Sequence, residues 1–278
     1  MERLAILLPA LIPAAYMLAM LAVYVIRWAV GRPPYVEAFD RRRASQVFGP
    51  FLTKYFLWIL QPVLRFGVAW RVRPDAITVA SLLCAAGAGV AIAAGHLATA
   101  GWLYIVAGAL DIVDGRLARA TKTQTRAGAF LDSVGDRWAE LLVLSGFVWY
   151  LRDSAWQGAA VLAIAGSMMV SYTRARGEGV GLELDKGAMQ RAERIALVAV
   201  GTLVAAWLEA GAATAGAGVH VIGAALLATG VGATLTALGR WREGYRKLRR
   251  LDEIDAAAGG RDEGERGDAE EHTSLRAC

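Results

Sequence analysis

The chain has 278 residues, of which 56% are hydrophobic, and it carries a formal net charge of +5. The apolar residues form blocks of about 20, which is the length that crosses a bilayer. Two cysteines and three scattered histidines exclude a disulfide framework and a zinc site built from them. The composition therefore predicts an all-α, polytopic integral membrane protein, with no soluble domain that would bind nucleic acid.

The N-terminal part contains two elements that precede the main bundle. An apolar run from Leu4 to Ile26 is too long for the core of a signal peptide, so residues 1–30 are expected to hold a retained span. Residues 37–72 mix basic and bulky apolar side chains, which is typical of an amphipathic helix in the headgroup layer. A bend is expected near Pro62. A short additional span is the alternative for this segment.

Six further apolar runs lie within residues 73–240 and predict the core of a transmembrane helical bundle. Asp75 is expected to cap the first of these helices. The runs cover residues 76–94, 98–119, 127–151, 155–172, 195–208 and 219–238. From Leu251 onward, nine acidic and three basic residues with few aromatic ones predict a disordered acidic tail over residues 251–278.

Basic residues are concentrated in alternate loops of this predicted bundle. They follow the first span and recur in residues 116–126, 174–194 and 240–250. The positive-inside rule then places the N-terminus outside, the C-terminus inside, and the basic loops on the cytoplasmic face of the plasma or inner membrane. The same side chains would also attract anionic lipid and phosphate ligands.

Four aspartates lie within the predicted spans, where carboxylates are costly and rare. Asp111 and Asp114 share one face of their helix, and Asp132 and Asp136 share one face of the next. A short connection predicts antiparallel neighbouring helices, so the four carboxylates are expected to converge. A hard divalent cation, Mg²⁺ or Mn²⁺, would relieve their repulsion, and Arg119 would add donors for phosphate oxygens. These groups indicate metal-assisted phosphoryl transfer.

Three alternatives remain open for these charges. The aspartates could form buried salt bridges with Arg116, Arg119, Arg126 or Arg137. They could also line an ion pathway in a magnesium or solute transporter. Transport sites are usually near the bilayer midplane at broken helices, whereas these aspartates lie near the ends of unbroken ones. The third alternative is a structural relative without activity.

The stretch also fits the pattern D-x2-D-G-x2-A-R-x8-G-x3-D-x3-D without a gap. The matching residues are Asp111, Asp114, Gly115, Ala118, Arg119, Gly128, Asp132 and Asp136. This pattern resembles the signature of the CDP-alcohol phosphatidyltransferases, and the similarity extends from about Arg73 to Leu238. The resemblance implies a membrane enzyme, usually a homodimer, that transfers a phosphatidyl group from CDP-diacylglycerol to an alcohol and releases CMP.

The resemblance also implies roles for individual residues. The metal ligands would be Asp111, Asp114, Asp132 and Asp136, with Asp136 also acting as the general base. The CDP-lipid would contact Asp75, Thr78, Gly115, Ala118, Arg119 and Gly128. The segments around Arg174, Arg176 and Arg194 resemble the loop pair that binds the acceptor's phosphate in phosphatidylinositol-phosphate synthases, although Ala192 stands where those enzymes usually carry proline. The implied acceptor is inositol phosphate or glycerol 3-phosphate.

Overall fold

Every element in the described part of this computed structural model is an α-helix. The structure describes residues 2–32, 49–211 and 216–275, with side chains described between residues 12 and 254 of these ranges. In chain order the helices are α1 (Glu2–Ala29), α2 (Gly49–Ala69), α3 (Pro74–Ala93), α4 (Leu97–Thr121), α5 (Arg126–Tyr150), α6 (Gln157–Glu178), α7 (Arg191–Ala210) and α8 (Ala217–Leu275). Each of the seven apolar runs corresponds to one of these helices, and three of the runs extend past their helix by one or two residues.

Four helices in the described ranges are long and apolar enough to cross a membrane. The apolar segments are Ile12–Ala29, Pro74–Ala93, Leu97–Thr121 and Ala217–Ile254. Helices α5, α6 and α7 have 25, 22 and 20 residues, so they have the length of a span but a more polar composition. The polar residues of α5 and α7 include those of the candidate site described below.

The start of α3 differs from the sequence prediction. Arg73 occupies the N-cap position and Pro74 follows at the first helical position, where its missing N–H leaves no additional unpaired donor. Asp75 is therefore inside the first turn and is not the cap. An acidic side chain in this turn still interacts favourably with the positive end of the helix dipole.

Helix α3 lies between α4 and α5, and this arrangement corrects a second prediction. Both α4 and α5 pack extensively against α3, but they make almost no contact with each other. They diverge from a common end, where a four-residue connection joins them. The two helices are therefore neighbours only where their aspartates lie, and α3 contributes side chains to that end.

Small residues allow the helices of the bundle to approach closely. A Cβ at Gly146 on α5 would lie about 3.0 Å from the Gly89 Cα on α3, and a Cβ at Gly166 on α6 would lie 2.8 Å from the Gly230 carbonyl oxygen on α8. Contacts of this kind are typical of packing between membrane helices. The buried core joins α3 to α8 through residues such as Ala88, and it reaches the site end at Tyr104.

The acidic tail and the amphipathic segment are the two predicted regions that lie outside the central bundle. Helix α8 covers Ala217–Leu275, so it includes residues 251–275, for which the composition predicts a disordered tail. The i,i+4 pair between Arg249 and Glu253 stabilises the helix at the start of this segment. Helix α2 covers Gly49–Ala69 and runs through Pro62, whereas residues 37–48 of the expected amphipathic helix lie outside the described residues.

Candidate active site

The connection between α4 and α5 is built from local interactions. Lys122 ends α4 in a left-handed conformation with φ 56°, which turns the chain sharply. Thr125 caps α5, and its hydroxyl oxygen accepts a hydrogen bond of 2.9 Å from the Gly128 N–H. These local features place the end of α4, with Asp111 and Asp114, beside the start of α5.

Three aspartates form a group with the geometry of a cation site. Asp111, Asp114 and Asp132 each offer one carboxylate oxygen, and these oxygens all lie within 4.8 Å of one another. Asp114 is buried, and the other two are partly buried. Three clustered carboxylate oxygens match the ligand preference of Mg²⁺ and Mn²⁺, so the residues present fit a hard divalent cation.

The carboxylate of Asp114 is oriented by two donors. The Thr78 hydroxyl on α3 donates a 2.7 Å hydrogen bond to Asp114 Oδ2, and the Gly115 N–H donates to Oδ1. Because α3 lies between α4 and α5, Thr78 is close enough to make this contact. Partners of this kind fix the direction in which a metal ligand points.

Asp136 lies beside this group and is not one of the three clustered carboxylates. Its Oδ1 pairs with Arg191 Nη1 on α7 at 2.8 Å, and the same nitrogen pairs with Asp111. The structure therefore brings the four aspartates to one end of the bundle, as predicted, but with an arginine between Asp111 and Asp136. The sequence contained Arg191 in the segment around Arg194, but we had not assigned it to the site.

The residues predicted to contact the CDP-lipid lie at the same end. A Cβ at Gly128 would lie 3.1 Å from Asp75 Oδ1, so the Asp75 carboxylate approaches the first turn of α5. The exposed Arg119 guanidinium covers Gly115, with Nη1 3.4 Å from the position of a Cβ there. Ala118 and Thr78 are on the flanking turns of α4 and α3. These polar groups and glycines surround the aspartate group.

The three arginines predicted to bind the acceptor's phosphate differ from one another in exposure and in partners. Arg194 has a side chain only 2% exposed, and its fork pairs with Glu140 on α5 through contacts of 2.6 Å and 2.9 Å. Its Nη1 donates to the Met189 carbonyl at 3.0 Å. Arg174 is exposed and pairs with Glu178 at 3.0 Å, and Arg176 is exposed. The geometry therefore does not support Arg194 as an acceptor contact.

Glu140 is the partner that the sequence analysis did not identify. It follows Asp136 by four residues and continues the spacing of Gly128, Asp132 and Asp136 along one face of α5. The spacing was therefore a usable signal for another carboxylate facing the same neighbours. The pair it forms with Arg194 fixes α7 against α5 beside the aspartates.

The loop between α6 and α7 is held by a buried arginine from α8. Arg240 is 4% exposed, and it donates to the carbonyls of Lys186 at 3.0 Å, Val170 at 2.9 Å and Asp185 at 3.4 Å. The Met189 N–H donates to the Thr236 hydroxyl at 3.3 Å. In the sequence, Arg240 is one member of a basic stretch. Its role in holding the loop is not predictable from that stretch, because its partners are backbone groups more than 50 residues away.

Comparisons with known proteins cover the part of the chain that contains this site. Residues 71–235 match the family model described as CDP-alcohol phosphatidyltransferase. The chain is 36% identical over 131 residues to the archaetidylinositol phosphate synthase of Methanothermobacter thermautotrophicus, covering 46% of this chain and 65% of that protein. It is 32% identical over 149 residues to the phosphatidylinositol phosphate synthase of Corynebacterium glutamicum, covering 51% and 68%.

The fold is also similar to that of a solved structure. Phosphatidylinositol phosphate synthase from Mycobacterium tuberculosis, with CDP-DAG bound, superimposes with a TM-score of 0.59 at 23% identity. The match covers 67% of this chain and 94% of that one. The same enzyme has been crystallised with manganese and citrate, with a TM-score of 0.58 to this chain. The shared fold, the matched residues and the aspartate site lead to one conclusion: the chain is an integral membrane protein of the CDP-alcohol phosphatidyltransferase family.

Proposed function

We propose that this chain transfers a phosphatidyl group from CDP-diacylglycerol to a phosphorylated polyol and releases CMP. The observation that carries the proposal is the group of three carboxylate oxygens within 4.8 Å, with Asp136 beside it at the shared end of α4 and α5. Inositol phosphate is the first candidate acceptor, because several relatives are named for it. Glycerol 3-phosphate is the second candidate, since it carries the same charged group.

The aspartates divide the binding and chemical roles. Asp111, Asp114 and Asp132 would hold Mg²⁺ or Mn²⁺, which supplies charge neutralisation for the diphosphate and for the departing CMP. The Arg119 guanidinium, exposed at the rim, would donate to diphosphate oxygens. Asp75 and Thr78 line the donor side together with Gly115, while Gly128 keeps the space beside Asp75 free of a side chain.

Asp136 is the general base in this proposal. Its carboxylate would take the proton of the acceptor hydroxyl as the hydroxyl oxygen bonds to the β-phosphorus, which carries the diacylglycerol. The bond between that phosphorus and the oxygen bridging to CMP breaks at the same centre, and CMP carries away the electron pair. The Arg191 guanidinium would limit the orientations of the Asp136 carboxylate, because its Nη1 lies 2.8 Å from Oδ1.

The acceptor would enter beside the loop between α6 and α7. Arg174 and Arg176 are exposed near this loop, and Arg191 at the start of α7 reaches the aspartates. An anionic polyol phosphate suits such a basic entrance, whereas a neutral alcohol would gain little from it.

The direct test measures CMP release from CDP-diacylglycerol by the purified full chain with Mg²⁺. The acceptor panel contains inositol phosphate, glycerol 3-phosphate, free inositol and serine. We expect release only with the first or second of these, and no release for Asp111→Asn. Release that is highest with free inositol or serine would refute the phosphorylated acceptor. No release with any acceptor, together with Mg²⁺ flux into liposomes, would support the transporter alternative.

The membrane arrangement is the second part of the proposal. We infer seven spans, formed by α1 and α3–α8, with the N-terminus outside and the active site on the cytoplasmic side. The basic loops support this orientation, and α2 is expected in the headgroup layer because it combines Lys54 and Arg65 with exposed Phe66, and exposed Trp70 follows its last residue. In intact cells, a membrane-impermeant thiol reagent should label Arg152→Cys and not Lys122→Cys. Cross-linking tests the expected homodimer.

A further inference from the structure

Arg191 connects two aspartates that belong to different helices. It is the first residue of α7, and its Nη1 pairs with Asp111 on α4 and with Asp136 on α5. All three side chains are mostly buried, with 24%, 18% and 22% of their surfaces exposed. An ion pair shielded from water in this way is screened far less by salt than one at the surface.

The start of α7, which carries Arg191, is linked to α5 independently of the aspartates. Arg194, one turn further along α7, holds Glu140 with two contacts, so the start of α7 stays against α5. In contrast, Arg191 Nε is buried without a hydrogen-bond partner among the residues that the structure describes. An unpaired buried donor is energetically unfavourable. A rearrangement of the Arg191 side chain that gave Nε a partner would therefore be favourable.

Asp111 belongs to two groups at once. It is one of the three carboxylates that could hold a cation, and it is also one of the two that Arg191 holds. A divalent cation and a guanidinium repel each other and draw on the same carboxylate. Binding of one therefore weakens the hold of the other on Asp111, and this coupling is reciprocal.

We propose that Arg191 is a positioning residue that acts as an internal counter-cation: it neutralises Asp111 and Asp136 before a divalent cation binds and releases Asp111 when one arrives. It remains with Asp136 and keeps that carboxylate directed toward the acceptor. The site therefore folds without metal, and the metal affinity is lower than four carboxylates alone would give. The inference rests on the proposed function only in taking the three aspartates as metal ligands.

The test measures metal binding without donor or acceptor, so it is independent of turnover. The wild-type chain, Arg191→Gln and Arg191→Lys are purified in detergent, and the Mn²⁺ dissociation constant and the Tm with chelator and with saturating Mn²⁺ are measured. We expect Arg191→Gln to lower the Tm in chelator, to increase the Mn²⁺-induced rise in Tm, and to bind Mn²⁺ about 5- to 150-fold more tightly, the range of a typical coupling between two sites.

The variants and outcomes separate the competing explanations. Arg191→Lys keeps the charge and should remain close to wild type in chelator, whereas the remote, exposed Arg152→Gln should match wild type throughout. Should Arg191→Gln fold only with Mn²⁺ and unfold on chelation, the inference is supported. Unchanged or weaker Mn²⁺ binding in Arg191→Gln would overturn it, as would a wild-type chain that binds no Mn²⁺. An inactive wild-type chain with the expected Mn²⁺ results would refute only the proposed function.

Discussion

The two connections that flank the candidate site are stabilised in different ways. The connection from α4 to α5 has four residues and is held by its own neighbours, through the left-handed Lys122 and the Thr125 cap. The loop from α6 to α7 covers residues 179–190, and it is held by distant residues such as Arg240 and Thr236 on α8. The end of α4 and α5 that we propose to bind the donor therefore depends on local geometry, whereas the loop that we propose to receive the acceptor depends on how α8 packs.

The largest effect is expected from removing the carboxylate of Asp136 on α5. Asp136→Asn keeps the size of the side chain but removes the base, so CMP release should fall by about 10²- to 10⁴-fold. Mn²⁺ and CDP-lipid binding should be retained better than in Asp111→Asn, because Asp136 is outside the group of three clustered carboxylates. Turnover kinetics and equilibrium binding measure the two effects. Near-native turnover of Asp136→Asn would remove it as the base.

A second change breaks the pair that joins α7 to α5. Glu140→Gln leaves the buried Arg194 without its carboxylate partner, and such a loss typically costs about 3–5 kcal/mol in the free energy of unfolding. Replacing both residues, as in Glu140→Leu with Arg194→Met, should restore most of that stability. Chemical denaturation of the detergent-solubilised protein compares the variants. A stable Glu140→Gln with a raised acceptor KM would instead return Arg194 to the acceptor site.

A third change affects the loop between α6 and α7, which is held by residues of α8. Arg240→Gln removes charge and most of the donors that hold three backbone carbonyls, so the loop between α6 and α7 should become mobile. We expect the acceptor KM to rise about tenfold, which corresponds to about 1.4 kcal/mol, with little change in the donor KM. Faster amide exchange in residues 182–189 should accompany it. Equal effects on both KM values would contradict the proposed separation of donor and acceptor binding.

The smallest effect is expected in the connection held by its own residues. Thr125→Ala removes the cap on the Gly128 N–H and should cost about 1 kcal/mol of stability. Gln124→Ala in the same connection is the matched control. Thermal unfolding measures both, and the donor KM should change by less than the acceptor KM changes in Arg240→Gln. A loss of stability in the control as large as in Thr125→Ala would show that the cap is not the cause.

The same difference explains what could be predicted from the sequence. Spacing along a helix is a local property, so the common position of the four aspartates, the glycines beside them and the metal-dependent family was predictable. The pairings of Arg191 and Arg194 depend on which helix faces which at a separation of 54 to 80 residues. A single sequence carries no direct record of such pairings, and an arginine near a loop reads equally well as a phosphate contact or as an anchor.

The packing order of the helices was unpredictable for a related reason. A short connection between α4 and α5 fixes the distance between their joined ends but not the angle at which they leave it. The small residues of α3, including Gly89, allow that helix to fit between α4 and α5. This is why Thr78 reaches Asp114, a contact that the position of Thr78 in the sequence does not reveal.

The length of α8 has a consequence for the charge near the membrane surface. The helix has 59 residues, and at a rise of about 1.5 Å per residue Glu271 lies roughly 30 Å beyond Arg250 along its axis. Electrostatic interactions in solution decay over about 8–10 Å at physiological salt. A continuous rod therefore carries most of the acidic tail out of range of the basic residues from Arg242 to Arg250, which keep only nearby partners such as Glu253, paired with Arg249. The length of the helix thus separates most of the acidic charge of the tail from the basic charge at the end of the bundle.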